Sequence, residues 1–546
     1  MPDSQTAGKT STHSLTVAEL LVSRLKEAGL QRLFGVPGGG SSMDLIDAAR
    51  RDGIGFVLSR REDSGMVMAA VTALLSGAPG LALGTKGPGV TSSANGIASA
   101  YLDRAPALYV SDGFGADELN YVSHQYFDQG AVLGPITKQV SLLNGDDPAA
   151  EIDMLIAAMR DAPKGPCYVE LTGAVARREV VAPAASTPQG LRSAANADAL
   201  GQAHALLAQA KRPVVVAGLE AAIGDNAAAI RKLVDTLRAP ALVTYMAKGV
   251  IPDANAHYAG IFTGGQAEYP CVASADLIIL AGLDPVELIR KPWAYDAPVL
   301  DIGETRHMKH YTEPACGLYG PIARTLDALG EGLAPSGWRA LDIAAHRDRF
   351  YDAMAYKERP GLTPVDIVKR AATAFDGRPR LAVDAGAHMF SAVAFWPGKE
   401  PLDVLISNGL ATMAFALPAG LAAALHDPKR GAVAMTGDGG LMMCMGELVT
   451  AAQQNAKLTT IVFNDGALSL IDIKRQEMQM PDLGFTWERP DFAAAARGFG
   501  CSAWRVSTEE ALDSALQAAA ASDGPCLIDV VLDPDGYLEQ MRSLRG

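Results

Sequence analysis

The chain has 546 residues, 49% of them apolar and 20% charged, with a formal net charge of −14. That length suggests about three domains of ordinary size, and the composition is globular rather than disordered. The acidic balance, with no basic run and no basic–aromatic interleaving, argues against nucleic-acid binding, and no uninterrupted apolar stretch is long enough to span a bilayer.

Six cysteines (Cys167, Cys271, Cys316, Cys444, Cys501, Cys526) lie without paired or metal-like spacing, which fits reduced thiols. The opening MPDSQTAGKTST lacks the apolar core of a signal peptide, so a cytoplasmic protein is expected.

Helical spacing of apolar residues predicts a helix from Leu15 to Gln31, with Gly29 as its stop. The short strand Leu33–Val36 then breaks at Pro37-Gly38-Gly39-Gly40, ahead of a helix through Leu45 and Ile46. Phe56–Leu58 is the next strand, and Glu62 stands at the start of an alanine- and methionine-rich helix to about Leu75. A carboxylate there suits the helix dipole without any catalytic role. Leu81–Gly84 is a strand that turns at Thr85-Lys86-Gly87-Pro88-Gly89 into the helix SSANGIASAYLD. Ala107–Val110 and Gly165–Leu171 continue the sheet, with a looser segment holding His124 and Gln125 between them. Ala182–Arg192 reads as a linker.

In the second region, Pro213–Gly218, Ala241–Val243 and Ala275–Leu280 are buried-strand runs with a helix from Asn226 to Leu237, another parallel α/β pattern. It holds no GxGxxG fingerprint of a dinucleotide. A linker near Gly337 and a helical stretch to about Arg359 lead onward.

The third region opens with a helix from Thr363 to Ala374 and the strand Arg380–Asp384, which ends at Ala385-Gly386-Ala387-His388. Val404–Ser407 leads into Asn408-Gly409-Leu410-Ala411-Thr412-Met413 and a further helix. Ala432–Met435 stops at Thr436-Gly437-Asp438-Gly439-Gly440, a helix is expected from Leu441 to about Gln454, and Leu458–Phe463 stops at Asn464-Asp465-Gly466. Pro525–Leu532 is expected to close the sheet.

Strand, glycine turn, helix, strand is one βαβ unit, whose crossover makes the strands parallel. Asp438 and Asn464 then follow two strand carboxyl ends, where open α/β sheets bind ligands. On neighbouring strands about 4.8 Å apart, one carboxylate and one amide oxygen can reach a single small ion. Oxygen ligands suit Mg²⁺ or Ca²⁺, and Mg²⁺ is commonly shared with phosphates. The plain alternative is an ordinary βαβ unit in which Asp438 caps a helix and Asn464 fills a turn.

FGVPGGG, RRED, GTKGPGVTSSANGIASAYLDRAPAL, SNGLATMAFALPAG and GDGG followed by ND occur in that order between Leu15 and Pro534. Together they resemble the acetolactate synthase and pyruvate decarboxylase group of thiamine diphosphate enzymes. The resemblance implies an α/β fold of three consecutive domains with helix-flanked parallel sheets: a pyrimidine-binding domain over 13–182, a central domain over 193–350, and a diphosphate- and Mg-binding domain over 360–535.

It further implies roles residue by residue. Glu62 would hydrogen-bond the aminopyrimidine, and Asp438, Asn464 and the Gly466 carbonyl would hold Mg²⁺. Gly437, Gly439 and Gly440 would flank the diphosphate, with Gly386 and His388 close by. Ala411, Met413 and Leu468 would meet the coenzyme rings, and His124 and Gln125 would be catalytic candidates near the substrate. The first region of one subunit would face the third region of another, so a homodimer is the minimum and a homotetramer is expected.

Leu470 and Gln125 stand where simple pyruvate decarboxylases carry a glutamate and a histidine, and so resemble the acetolactate synthase type. The tryptophan that acetolactate synthases place shortly afterwards is missing from SLIDIKRQ, Arg61 precedes Glu62 where many members have histidine, and Lys86 replaces a small residue. These departures weigh against FAD, which many acetolactate synthases carry in the central domain.

The expected reaction is thiamine diphosphate- and Mg-dependent decarboxylation of a 2-oxo acid with ligation to a second carbonyl. Cleavage of a 2-hydroxy ketone or 2-hydroxyacyl-CoA, or plain decarboxylation, are the alternatives. A noncatalytic relative would be expected to lose Glu62 or the GDG–Asn pair, and both are present.

Overall fold

The computed structural model describes residues 14–181, 194–330, 332–356 and 361–545. The linker Ala182–Arg192, Arg359 at the end of the expected helical stretch, and the domain edges expected at 13, 182, 193 and 360 lie outside these residues. The described residues form two compact units, one within 14–69, 78–97 and 106–181, the other within 70–77, 98–105 and 194–545.

The strands of the first unit are β1 (Ser14–Thr16), β2 (Arg32–Val36), β3 (Gly55–Leu58), β4 (Gly80–Gly84), β5 (Ala107–Asp112), β6 (Val140–Ser141), β7 (Cys167–Leu171) and β8 (Glu179–Val181). β2 to β7 form one parallel sheet in the order β3-β2-β4-β5-β7-β6. Every residue of β4 and β5 is buried, as expected where helices cover both faces of a parallel sheet. Leu33, Leu81, Leu108 and Val169 pack there with Leu21 and Leu25.

The first predicted helix starts later than its periodicity implied. Ser14–Thr16 pairs antiparallel with β8, and the helix runs Val17–Glu27. Thr16 sets the boundary with a capping box: its hydroxyl accepts the Glu19 N–H at 3.2 Å, and the Glu19 carboxylate accepts the Thr16 N–H at 2.9 Å.

The second unit holds two further sheets. One comprises β9 (Pro213–Ala217), β10 (Ala241–Val243), β11 (Tyr258–Ile261), β12 (Leu277–Ala281), β13 (Val299–Gly303) and β14 (Cys316–Tyr319), in the order β11-β10-β9-β12-β13-β14. The other comprises β15 (Arg380–Val383), β16 (Val404–Ile406), β17 (Ala432–Gly437), β18 (Leu458–Asn464), β19 (Ser502–Val506) and β20 (Cys526–Val531), in the order β16-β15-β17-β18-β20-β19. All pairings within both are parallel. The α/β class and the three helix-flanked parallel sheets are as expected.

Two details differ. β20 does not close its sheet: it lies between β18 and β19, and the half-exposed edge strand β19 carries too few apolar residues to signal itself. The helix expected from Leu441 to Gln454 is two pieces, Asp438–Cys444 and Glu447–Gln453, interrupted at Met445-Gly446.

Strand order also locates the crevices. From β15 the chain moves to β16 on one side, then crosses back to β17 on the other, so the order reverses between β15 and β17. Ligands of open α/β sheets bind outside the strand carboxyl ends at such a switch. The first unit repeats the device between β2 and β4, above FGVPGGG and the Thr85–Gly89 turn.

Candidate active site

β17 and β18 are parallel neighbours with Gly437 opposite Phe463, so Asp438 and Asn464 leave adjacent strand ends. The two residues are 2% and 0% exposed. Asp438 Oδ2 accepts the Gly466 N–H at 2.8 Å and its Oδ1 the Gly439 N–H at 2.7 Å. Burial pushes the Asp438 carboxyl up, and these two donors pull against it.

Asn464 is fixed from its far side. Its Nδ2 donates to Asp529 Oδ1 at 2.8 Å and to the Pro490 carbonyl at 2.9 Å. Both partners accept, so the amide orientation is determined and Oδ1 turns away from them. That oxygen is buried and meets no donor. Such an acceptor costs about 1–3 kcal/mol unless something satisfies it, and a cation does.

Among the described residues no group of three or more His, Cys, Asp or Glu could hold a metal. An ion here would rest on one carboxylate, one amide oxygen and carbonyl or phosphate oxygens. That hard-oxygen set fits Mg²⁺. The Gly466 carbonyl already accepts the Trp487 N–H at 2.8 Å, which leaves it one lone pair.

Next to this pair lies a cavity of ≈ 270 Å³. Gly386, His388, Ala411, Met413, Gly437, Asp438, Gly439, Gly440 and Leu468 all line it. Asn464 is not among its lining residues, and Gly466 lines a neighbouring cleft instead. A Cβ on Gly439 would stand 3.1 Å from Leu468 Cδ2 and 3.4 Å from Met413 Cε, so those two side-chain tips arch over a floor that needs glycine. Ala411 adopts a left-handed φ of +54°, which bends the chain ahead of Met413. His388 stacks on Phe463 with ring centroids 5.0 Å apart, and its Nε2 is buried without a partner. Burial pushes its pKa down to about 4, against a hydrogen bond with the Met435 backbone, so the ring is neutral near pH 7. A cavity floored by glycines and walled by apolar tips beside an oxygen cation site fits a metal-bound diphosphate with attached rings.

In the first unit Glu62 opens the helix Glu62–Ser76 and is half-buried. A Cβ on Gly84 would lie 3.4 Å from Glu62 Cγ, and one on Gly89 3.5 Å from Glu62 Oε1. The glycines of the Gly84–Gly89 turn thus keep space beside the carboxylate. The Tyr109 hydroxyl holds the Gly89 carbonyl at 2.9 Å, and Gln129 Oε1 holds the Gly87 N–H at 2.8 Å. Gln125 lies beside the same turn, its Cβ 2.9 Å from where a Cβ of Gly87 would stand, and both it and His124 are exposed. Lys86 Nζ sits 4.0 Å over the Phe114 ring.

Two functional positions escaped the sequence reading. Asp384, 1% exposed, accepts the Thr436 hydroxyl at 2.5 Å and the Ala416 and Ala414 N–H groups at 2.6 and 3.2 Å, tying the GDG turn to the loop of Met413. Asp529, 0% exposed, orients Asn464. The available signal was a carboxylate inside or ending an apolar strand, in LAVD and CLIDVV, which must find buried donors.

At the strand ends of the central sheet, buried and half-buried glutamates accept backbone N–H groups. The Leu219 N–H is taken by Glu287 at 2.7 Å, the Glu304 N–H by Glu220 at 2.8 Å, and the Ile322 N–H by Glu304 at 3.2 Å. These strand-end donors are committed to carboxylates. All six cysteines are buried, and among the described residues no helix is long and apolar enough to cross a membrane.

Comparison with known proteins identifies the three regions. Residues 15–132 match the N-terminal TPP binding domain of thiamine pyrophosphate enzymes, 200–329 the central domain, and 384–530 the C-terminal TPP binding domain. An acetolactate synthase of Bacillus subtilis is 29% identical, with 94% of this chain and 93% of that protein covered. A catabolic acetolactate synthase of Raoultella terrigena is 28% identical over 94% of this chain and 95% of its own. A probable 2-ketoarginine decarboxylase of Pseudomonas aeruginosa is 27% identical over 95% and 94%. With all three domains present in order, the chain belongs to the thiamine diphosphate enzymes of the acetolactate synthase family.

Proposed function

We propose that this protein binds thiamine diphosphate with Mg²⁺ and uses them to decarboxylate a 2-oxo acid, joining the remaining fragment to a second carbonyl compound. The observation that carries this reading is the buried, donorless Oδ1 of Asn464 beside Asp438. Asp438, Asn464 and the Gly466 carbonyl hold the ion, while Gly437, Gly439 and Gly440, with Gly386 and His388, receive the diphosphate. Ala411, Met413 and Leu468 press on the rings. When bound, the coenzyme supplies the electron sink that loss of CO₂ requires. The Glu62 carboxylate holds a proton on the aminopyrimidine nitrogen, and a homodimer or homotetramer brings it to the coenzyme from a partner protomer. Gln125 and His124 attend the substrate.

The acetolactate synthase relatives favour ligation; the probable 2-ketoarginine decarboxylase favours plain decarboxylation as the second reading. Calorimetry with thiamine diphosphate and Mg²⁺, followed by CO₂ release and product mass from 2-oxo acids with and without aldehyde acceptors, tests both. Absence of coenzyme binding overturns the proposal, and CO₂ without a ligated product reduces it to the decarboxylase.

A further inference from the structure

Two cationic side chains, Lys474 and Arg545, line the coenzyme cavity. Leu470, Ile471 and Lys474 reach it from the helix Ser469–Glu477, and Tyr537 and Arg545 from the helix Tyr537–Arg545. Leu470 and Lys474 are four residues apart, hence on one helix face and about 6 Å apart along the axis.

The acids nearest Lys474 in sequence are committed elsewhere. Asp472 accepts from Arg475 at 2.6 Å and from Gln476 at 2.7 Å, and Glu477 accepts from Arg542 at 2.9 Å. The cavity's own three carboxylates are also engaged: Asp384 by the Thr436 hydroxyl and the Ala414 and Ala416 N–H groups, Asp438 by the N–H groups of Gly439 and Gly466, Asp465 by the Ser469 hydroxyl at 2.6 Å and the Ala467 N–H at 3.1 Å. Arg545 stands 5.2 Å from the Phe390 ring centroid, and its Nε is buried without an acceptor. A buried guanidinium N–H without a partner is costly, and guanidinium geometry matches an anionic oxygen pair. The chain has 61 acidic against 47 basic residues. Two cations opening on one cavity in so acidic a protein are therefore a recognition feature rather than a general surface property.

We propose that this cavity selects a substrate carrying a second anionic group, a carboxylate or sulfonate, at the end remote from its reacting carbonyl. Lys474 and Arg545 hold that group, and Leu470 and Ile471 flank the short carbon spacer. The inference rests on the coenzyme site proposed above.

The test is calorimetric titration of the thiamine diphosphate- and Mg²⁺-loaded protein with three unreactive analogues of one length: glutarate, its neutral-ended amide glutaramate, and 4-sulfobutyrate. Glutarate or 4-sulfobutyrate is expected to bind about tenfold tighter than glutaramate, with the gap shrinking as salt rises. Which of the two binds better identifies the end group. Lys474→Gln and Arg545→Gln are each expected to bring the ratio toward one, and Lys474→Glu to invert it. Coenzyme titration of every variant reports that it has folded. Equal binding of all three analogues to the loaded protein, or a ratio unmoved by Lys474→Glu, overturns the inference while leaving the coenzyme site standing. Failure of the coenzyme itself to bind overturns the underlying reading instead.

Discussion

Asn464 Nδ2 donates to Asp529 Oδ1 at 2.8 Å, and that bond decides which face of the amide looks toward Asp438. Without it, only the Pro490 carbonyl orients the group, and rotation would present N–H to the cation instead of oxygen. Asp529→Ala is therefore expected to weaken Mg²⁺-dependent coenzyme binding by about 10–100-fold, the usual cost of losing an outer partner of a metal ligand. Calorimetry at fixed Mg²⁺ checks this, with far-UV circular dichroism as the fold control. An unchanged dissociation constant would mean the amide needs no such support.

Glu62→Gln keeps the size and helix-start position of the side chain and removes its charge. Beside Gly84 and Gly89 no packing contact is lost, so the melting temperature is expected to stay within a few degrees. Turnover is expected to fall by about 10²–10⁴, the range of positioned proton-transfer groups. Steady-state kinetics on whichever 2-oxo acid is accepted provide the readout. Retained turnover would remove Glu62 from the catalytic assignment.

The placement of Asp438 and Asn464 at adjacent strand ends was legible in the sequence because TGDGG and ND are local: each needs only a strand end and a turn. Its supports were not, because they come from chain far away. Asp529 reaches Asn464 across 65 residues of sequence and Asp384 reaches Thr436 across 52, through sheet pairings no short window contains. Edge strand β19 was missed for a different reason. Its exposed Ser502 and Arg505 break the apolar run that revealed β17 and β18, and β20 was then read as the sheet's end. The early start predicted for the first helix shows the converse error, apolar periodicity running past a Thr16 cap that ends it.

His388 predicts a pH dependence whose sign follows from burial. Its folded pKa is pushed down to about 4, against about 6.5 for a free imidazole. Between those values the unfolded chain binds more protons than the folded one, so stability falls as pH drops from about 6.5 toward 4. His388→Phe keeps an aromatic ring against Phe463 and removes the titration. The stability lost between pH 7.5 and pH 5 is expected to be smaller in the variant by about 1–2 kcal/mol. Denaturant melts at the two pH values decide it, and identical losses would place the ring in a more solvated setting than its 4% exposure implies.

Gly439 and Gly440 are adjacent yet should fail differently when given a methyl group. A Cβ on Gly440 would stand 2.2 Å from Asp384 Oδ2, the acceptor of the Thr436 hydroxyl and the Ala414 N–H, so Gly440→Ala must displace a buried carboxylate and the two segments it joins. A Cβ on Gly439 would meet the ends of Leu468 and Met413, at 3.1 and 3.4 Å, which can turn aside, and the edge of the Trp487 indole at an ordinary contact distance of 3.5 Å. Gly440→Ala is expected to destabilise the coenzyme-free protein by about 1–3 kcal/mol or more, as overpacking in a close-packed region does. Gly439→Ala is expected to melt nearly as the parent without coenzyme, yet to gain much less from thiamine diphosphate and Mg²⁺, because the displaced tips occupy the space the rings need. Thermal melts with and without both ligands separate the two. Equal coenzyme-free melting of the two variants would show that Asp384 yields as easily as Met413, and would remove it as the anchor of the site.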